Sequence, residues 1–218
     1  MQEEFWQSRW QENRIAFHEP VAHPFLEAHF DALDLDAGNT VLVPLCGKTL
    51  DIDWLLARGV KVVGIEFHQA AVEEVFARLG LLPEQTEANG LKCFHHGNLT
   101  LYVGDFFALP QALLGDVHAI FDRGALVALP EEIRIRYAAQ LADITQNAPQ
   151  LLISYDYDQR QTEGPPFSIP QSAVEQLYES IYRCSLLAER TIEGPLAERC
   201  SGIEYALHLG RDKRGDIA

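Results

Sequence analysis

Residues 39–67 read NTVLVPLCGKTLDIDWLLARGVKVVGIEF, and this stretch decides the fold. Residues 40–45 are a short apolar run with β-branched side chains, which suits a strand buried on both faces. The run ends at Cys46-Gly47, where a bend is expected. Ile52, Leu55 and Leu56 then recur at helical spacing, and Arg58-Gly59 supplies a basic last turn and a C-cap glycine. Residues 60–65 form a second apolar run, closed by Glu66. Strand, tight turn, helix, strand and terminal carboxylate make one βαβ unit, right-handed and parallel.

A carboxylate about 20 residues beyond the first turn is placed to accept hydrogen bonds from a ribose diol. The turn itself narrows the choice of nucleotide. A GxxxxGK[ST] phosphate loop ending on Gly47-Lys48-Thr49 needs glycine at position 42, but Leu42 stands there. The dinucleotide fingerprint GxGxxG is also missing, since Pro44-Leu45-Cys46-Gly47 supplies one glycine. A turn without anion-cradling glycines suits a ligand without phosphate. S-adenosylmethionine, which joins adenosine to a sulfonium and an amino-acid tail, is such a ligand.

Composition bounds the partners. With 218 residues, one α/β domain over residues 1–218 is expected, with a sizeable core. A net charge of −15 argues against nucleic acid or an anionic membrane as a standing partner, because both require a basic face. No run approaches the ~18 apolar residues of a membrane span. The N-terminus, MQEEFWQSRWQENR, is acidic and aromatic, unlike a signal or transit peptide. Cys46, Cys93, Cys184 and Cys200 show no CxxC spacing, so no zinc site or redox pair is indicated. Unpatterned cysteines in a chain of this size fit a reducing cytoplasm.

Outward from the βαβ unit, Phe5, Trp6, Arg9 and Trp10 fall at roughly helical spacing. They read as a helix docked on the body or as a lid over residues 1–20 that orders on a ligand. Flat aromatics would suit an adenine ring or a sulfonium there. Residues 23–30 with Leu33 and Leu35 read as a helix, and His18, His23 and His29 read as solvated or capping residues, with no metal ligand set. Residues 70–79 are a helix, and 83–90, PEQTEANG, a polar loop. Residues 91–94 and 99–103 flank a hairpin turn at His95-His96-Gly97-Asn98. Asp105, just past a strand end, either takes the N6 amine of an adenine or caps the next turn. Asp122-Arg123-Gly124 follows the strand 118–121 at the carboxyl rim, where open α/β sheets bind ligands; a surface ion pair is the other reading of it. Residues 131–144 are helical, 151–157 a strand, 159–170 a Gly/Pro-rich loop suited to walling a pocket, 173–182 a helix, and 186–192 and 203–209 two closing strands.

Four segments carry a family resemblance: FWQSRWQENRIAFHE at 5–19, VPLCGKTLDIDWLLARGVKVVGIE at 43–66, FDRGALVALP at 121–130 and SYDYDQRQTEGPPFSIP at 154–170. In this order the chain resembles the thiopurine S-methyltransferase family over nearly its whole length. The resemblance implies the Rossmann-like class I methyltransferase fold: a seven-stranded, mostly parallel sheet with helices on both faces and an antiparallel last strand. It implies methyl transfer from S-adenosylmethionine to a thiopurine or another aromatic or heterocyclic thiol, with selenium or tellurium species also open. S-adenosylhomocysteine would be the product, and the protein a cytoplasmic monomer. The implied cofactor contacts are Trp10, Leu45, Glu66 and Arg123. The implied catalytic arginines are Arg123 and Arg199, and Phe17, Pro165, Pro166 and Phe167 would line the acceptor pocket. Two other readings stay open: a nucleotide-binding oxidoreductase, and a protein of this fold that uses another small acceptor or serves as a non-catalytic binding module.

Overall fold

The computed structural model describes residues 20–211. The strands are β1 (Thr40–Pro44), β2 (Lys61–Glu66), β3 (Glu84–Ala88), β4 (Leu91–His96), β5 (Leu99–Val103), β6 (Ala119–Arg123), β7 (Gln150–Tyr157), β8 (Tyr182–Thr191) and β9 (Gly202–Arg211). The helices are α1 (Pro24–His29), α2 (Asp51–Ala57), α3 (Gln69–Arg78), α4 (Gln111–Leu114), α5 (Glu131–Ile144), α6 (Gln171–Tyr178) and α7 (Gly194–Ala197). None is long and apolar enough to cross a membrane.

One sheet takes the order β3-β4-β5-β2-β1-β6-β7-β9-β8. Strands β5, β2, β1, β6 and β7 run parallel, and β9 returns antiparallel between β7 and β8. These make the expected seven-stranded core, antiparallel last strand included. The full count is nine because a hairpin extends the β5 edge: β4 pairs antiparallel with β5, and β3 with β4. The outermost strand, EQTEA, is exposed over most of its length. An edge strand with no buried face has no apolar alternation, so residues 83–90 read as loop in the sequence, while Glu84–Ala88 within them fold as strand. Helix α6 also stops four residues early, at Tyr178, because Tyr182 already pairs with Arg211 in β8–β9.

The apolar runs of β1 and β2 divide residue by residue between two cores, as the period of 2 requires. Leu42, Val63 and Ile65 face one side with Tyr137 and Leu141 of α5 and Val174 and Tyr178 of α6. Val41, Val43 and Val62 face the other with Leu26 of α1, Ile52 and Leu55 of α2 and Val72 and Phe76 of α3. Burying each such side chain contributes about 1.5–3 kcal/mol relative to leaving it exposed, so both faces must be covered. Gly64 interrupts β2 for a steric reason. A Cβ there would lie 2.7 Å from Leu101 Cδ2 and 2.9 Å from Cys46 Sγ, so the first turn packs directly on the β2 backbone.

Candidate active site

The sheet order reverses at β1, which pairs β2 on one side and β6 on the other. A crevice opens at such a switch point, outside the carboxyl ends of the strands. Three connections frame it: residues 45–49 after β1, 67–68 after β2 and 124–125 after β6.

The turn after β1 is unusually constrained. Leu45 has φ 46 and Gly47 φ 53, and a bulky residue in the left-handed region costs of order 1–3 kcal/mol. Such a conformation persists only when its surroundings determine it. Cys46 N–H donates to Ile65 O at 3.0 Å. Gly47 N–H donates to Glu66 Oε2 at 2.8 Å. From α3, Arg78 donates to Lys48 O at 2.9 Å and Thr49 O at 3.1 Å, while its Nε holds Asp53 Oδ1 at 3.0 Å. Thr49 donates to buried Asp51 at 2.6 Å, and the other Asp51 oxygen accepts from His23 N–H at 2.7 Å. The Leu45 side chain stays partly exposed against the α5-side core.

Glu66 is 7% exposed. Its Oε1 accepts from His68 N–H at 2.8 Å, as Oε2 does from Gly47 N–H. Burial pushes its carboxyl above the usual range, and the backbone donors only partly offset this. The carboxylate is therefore fixed across both loops, with lone pairs left over for a ligand.

Asp105 caps the next turn: its Oδ1 accepts from Phe107 N–H at 3.0 Å. His23 is also a cap, with Nδ1 accepting from Phe25 N–H at 3.3 Å. It is buried rather than solvated, and its Nε2 lies 3.0 Å from Glu204. His18, Trp10, Phe17 and the rest of the segment 1–19 lie outside the described residues.

Arg123 is the half-buried last residue of β6, beside Ile153 of β7. Its neighbour Asp122 belongs to the core, not to a surface ion pair. Asp122 is fully buried and accepts from Leu126 N–H at 3.1 Å and from the Tyr137 hydroxyl at 2.7 Å. Arg199 is exposed in the β8–β9 connection, after α7. That connection stands on the same rim, because Tyr157 at the end of β7 pairs with Gly202 at the start of β9. Arg199 acts electrostatically on the Tyr157 phenol. The strands β7 and β9 separate it from Arg123 in the sheet.

Burial pushes the Asp122 carboxyl up to about 6, against the Tyr137 and backbone donors that favour its charged form. The folded state thus holds this proton more tightly than the unfolded chain. Its contribution to stability is full below the ordinary aspartate range and is lost as pH rises to about 6, by roughly 3 kcal/mol at most. Asp122→Asn keeps the shape without the titration. The difference between the two urea-unfolding free energies should shift in the variant's favour from pH 4 to pH 7. Parallel curves would show that Asp122 is not the titrating group.

The loop after β7 packs against the connection after β6. Phe167 N–H donates to Val127 O at 2.6 Å and Ile169 N–H to Tyr155 O at 2.7 Å. The Phe167 ring is partly buried on the α5-side core, with the Arg134 guanidinium 5.6 Å from its centroid. The loop after β7 thus closes on the connection after β6 at Phe167 and Val127, with Pro165 and Pro166 partly buried just before it.

The family model for thiopurine S-methyltransferase matches residues 1–208. The chain belongs to that family. It is 42% identical over 212 residues to the thiopurine S-methyltransferase of Teredinibacter turnerae, covering 97% of this chain and 99% of the relative. To the enzyme of that name from Acinetobacter baylyi it is 46% identical over 197 residues, 88% of this chain and 91% of the relative. Among solved structures it superposes on an S-adenosylmethionine-dependent methyltransferase from Anabaena variabilis with a TM-score of 0.64 at 13% identity, covering 96% and 95% of the two chains. It also superposes on the Burkholderia thailandensis 1,6-didemethyltoxoflavin-N1-methyltransferase, solved with its substrate and S-adenosylhomocysteine. There the TM-score is 0.63 at 13% identity, covering 96% and 87%. The fold is the class I methyltransferase fold.

Sequence reading missed several residues of this thiopurine S-methyltransferase-family site. Thr49-x-Asp51 is a local signal, a hydroxyl two residues from a helix-starting carboxylate. Arg78 gives none, since it reaches the turn from about 30 residues away only because α3 packs beside α2.

Proposed function

We propose that the protein transfers the methyl group of S-adenosylmethionine to the sulfur of a thiopurine or another aromatic or heterocyclic thiol. The observation that carries the reading is the Glu66 carboxylate, fixed by Gly47 and His68 at the switch point of a chain in this family. The donor set fits the cofactor. Glu66 suits the ribose diol, the turn at Leu45 has no phosphate cradle to leave empty, and Arg123 stands across the crevice. Trp10 would close on the adenosine side. When bound, the cofactor supplies an electrophilic methyl group on a sulfonium.

The acceptor sulfur would take up this methyl group, with the cofactor sulfur keeping the electron pair of the bond given up. The thiol proton is lost to solvent before or during attack. Sulfur is a soft nucleophile and heteroaromatic thiols ionise readily, so positioning matters more than a strong base. Arg123, permanently charged, favours the thiolate or orients a ring nitrogen, and Arg199 contributes from the β8–β9 connection. Phe17, Pro165, Pro166 and Phe167 would line the acceptor pocket.

Calorimetric titration with S-adenosylmethionine, S-adenosylhomocysteine and NAD, followed by turnover of a thiol panel, tests this directly. Binding of the first two but not NAD, with methylated thiols as products, is expected. NAD binding would favour the oxidoreductase reading. Cofactor binding without turnover of any thiol would favour a binding module or another acceptor.

A further inference from the structure

We infer that Gln159, acting through Tyr157, is the positioning residue that sets the shape of the acceptor wall and with it the choice among thiols. The inference rests on the acceptor reading above. Residues 158–166 leave β7 with none of their side chains buried, so before the loop is anchored at Phe167 and Ile169 side-chain hydrogen bonds shape its path. The Gln159 amide group makes three of them. Gln159 Nε2 donates to Thr162 O at 2.6 Å and to the Tyr157 hydroxyl at 3.1 Å, and Oε1 accepts from Ser168 N–H at 2.8 Å. The Tyr157 hydroxyl in turn donates to Pro166 O at 2.5 Å, and Tyr157 N–H to Ser168 Oγ at 3.0 Å. The clasp thus ties the two ends of the loop together and pins the Pro166 carbonyl, next to Phe167. Gln161 Oε1 extends it by accepting from Ser201 N–H at 2.9 Å, which joins the wall to the connection that carries Arg199.

None of these groups touches the turn after β1 or Glu66. Loosening the clasp should therefore change the acceptor side alone. A misplacement of about 1 Å is worth up to about 10²-fold in rate where ring placement matters. A bulky bicyclic acceptor such as 6-mercaptopurine should feel it more than compact benzenethiol.

The test compares Gln159→Ala, Gln159→Glu and Tyr157→Phe with the wild type in three measurements. The dissociation constant of S-adenosylhomocysteine should stay within about twofold. The ratio of kcat/KM for 6-mercaptopurine over benzenethiol should fall about tenfold or more in Gln159→Ala. It should fall less in Gln159→Glu, which keeps the Ser168 acceptor and loses both donations. Amide exchange at Phe167 and Ser168 should quicken at least about tenfold in Gln159→Ala. An unchanged thiol ratio with unchanged exchange would overturn the inference. So would an equal loss of S-adenosylhomocysteine affinity, which would mark a general structural role. If the wild type binds S-adenosylhomocysteine but methylates neither thiol, the acceptor reading falls, and exchange at Phe167 and Ser168 still decides whether Gln159 holds the wall.

Discussion

Glu66→Ala is expected to weaken S-adenosylmethionine binding at least tenfold and to destabilise the protein as well. Hydrogen bonds from a ribose diol to a carboxylate are worth roughly 1.5–3 kcal/mol each before desolvation. The same carboxylate also accepts from Gly47 and His68 N–H in a nearly closed environment. Alanine strands those donors, at about 1–3 kcal/mol for each one left buried without a partner. Glu66→Gln separates the two effects, since its amide oxygen keeps one backbone bond while the amide nitrogen accepts nothing. The glutamine variant should lose less stability in urea unfolding than the alanine variant, yet still bind the cofactor at least tenfold more weakly by calorimetry. A folded Glu66→Gln protein with wild-type affinity would remove Glu66 from the site. Acidity adds a second check. Burial holds the Glu66 carboxyl above the usual range, and the protonated group accepts less well. Cofactor affinity should therefore fall on acidification before an ordinary glutamate would titrate, and this limb should vanish in Glu66→Gln.

Arg123→Ala should cost about 10²-fold in kcat/KM for the thiol, the scale of removing a preorganised donor from a site of developing charge. Arg123→Lys keeps the charge and loses the planar fork, so it tests geometry alone. A guanidinium beside the acceptor lowers the pKa of the bound thiol. Without it, thiolate forms only at higher pH, and the acid limb of the rate profile should move up. The loss should be smaller for thiols already ionised at the assay pH. Stability should change less than turnover, because Arg123 is the half-buried last residue of β6, whereas its neighbour Asp122 is fully buried in the core. If both variants keep wild-type turnover and cofactor affinity, Arg123 is a rim arginine without a part in the reaction.

The amino-acid sequence by itself determined the βαβ unit, the parallel order and the ligand rim. Residues 40–45 and 60–65 are apolar on both faces, which only a strand between two helical layers tolerates, and Glu66 ends the second of them. The absent glycines of Pro44-Leu45-Cys46-Gly47 argued against a phosphate cradle. Local pattern failed where burial supplied no period, as in the exposed edge strand Glu84–Ala88. It also left Asp105 and Asp122 undecided, because a carboxylate after a strand reads alike whether it caps a turn, meets a ligand or enters the core. The tertiary structure placed Phe107 N–H against the first and the Tyr137 hydroxyl against the second. It alone brought Arg78 to the carbonyls of Lys48 and Thr49, His23 to Asp51, and Gln159 to Ser168. Those bonds hold the strained turn at Leu45 and the loop after β7. Their partners are set by helix packing and loop closure over distances along the chain that no local spacing encodes.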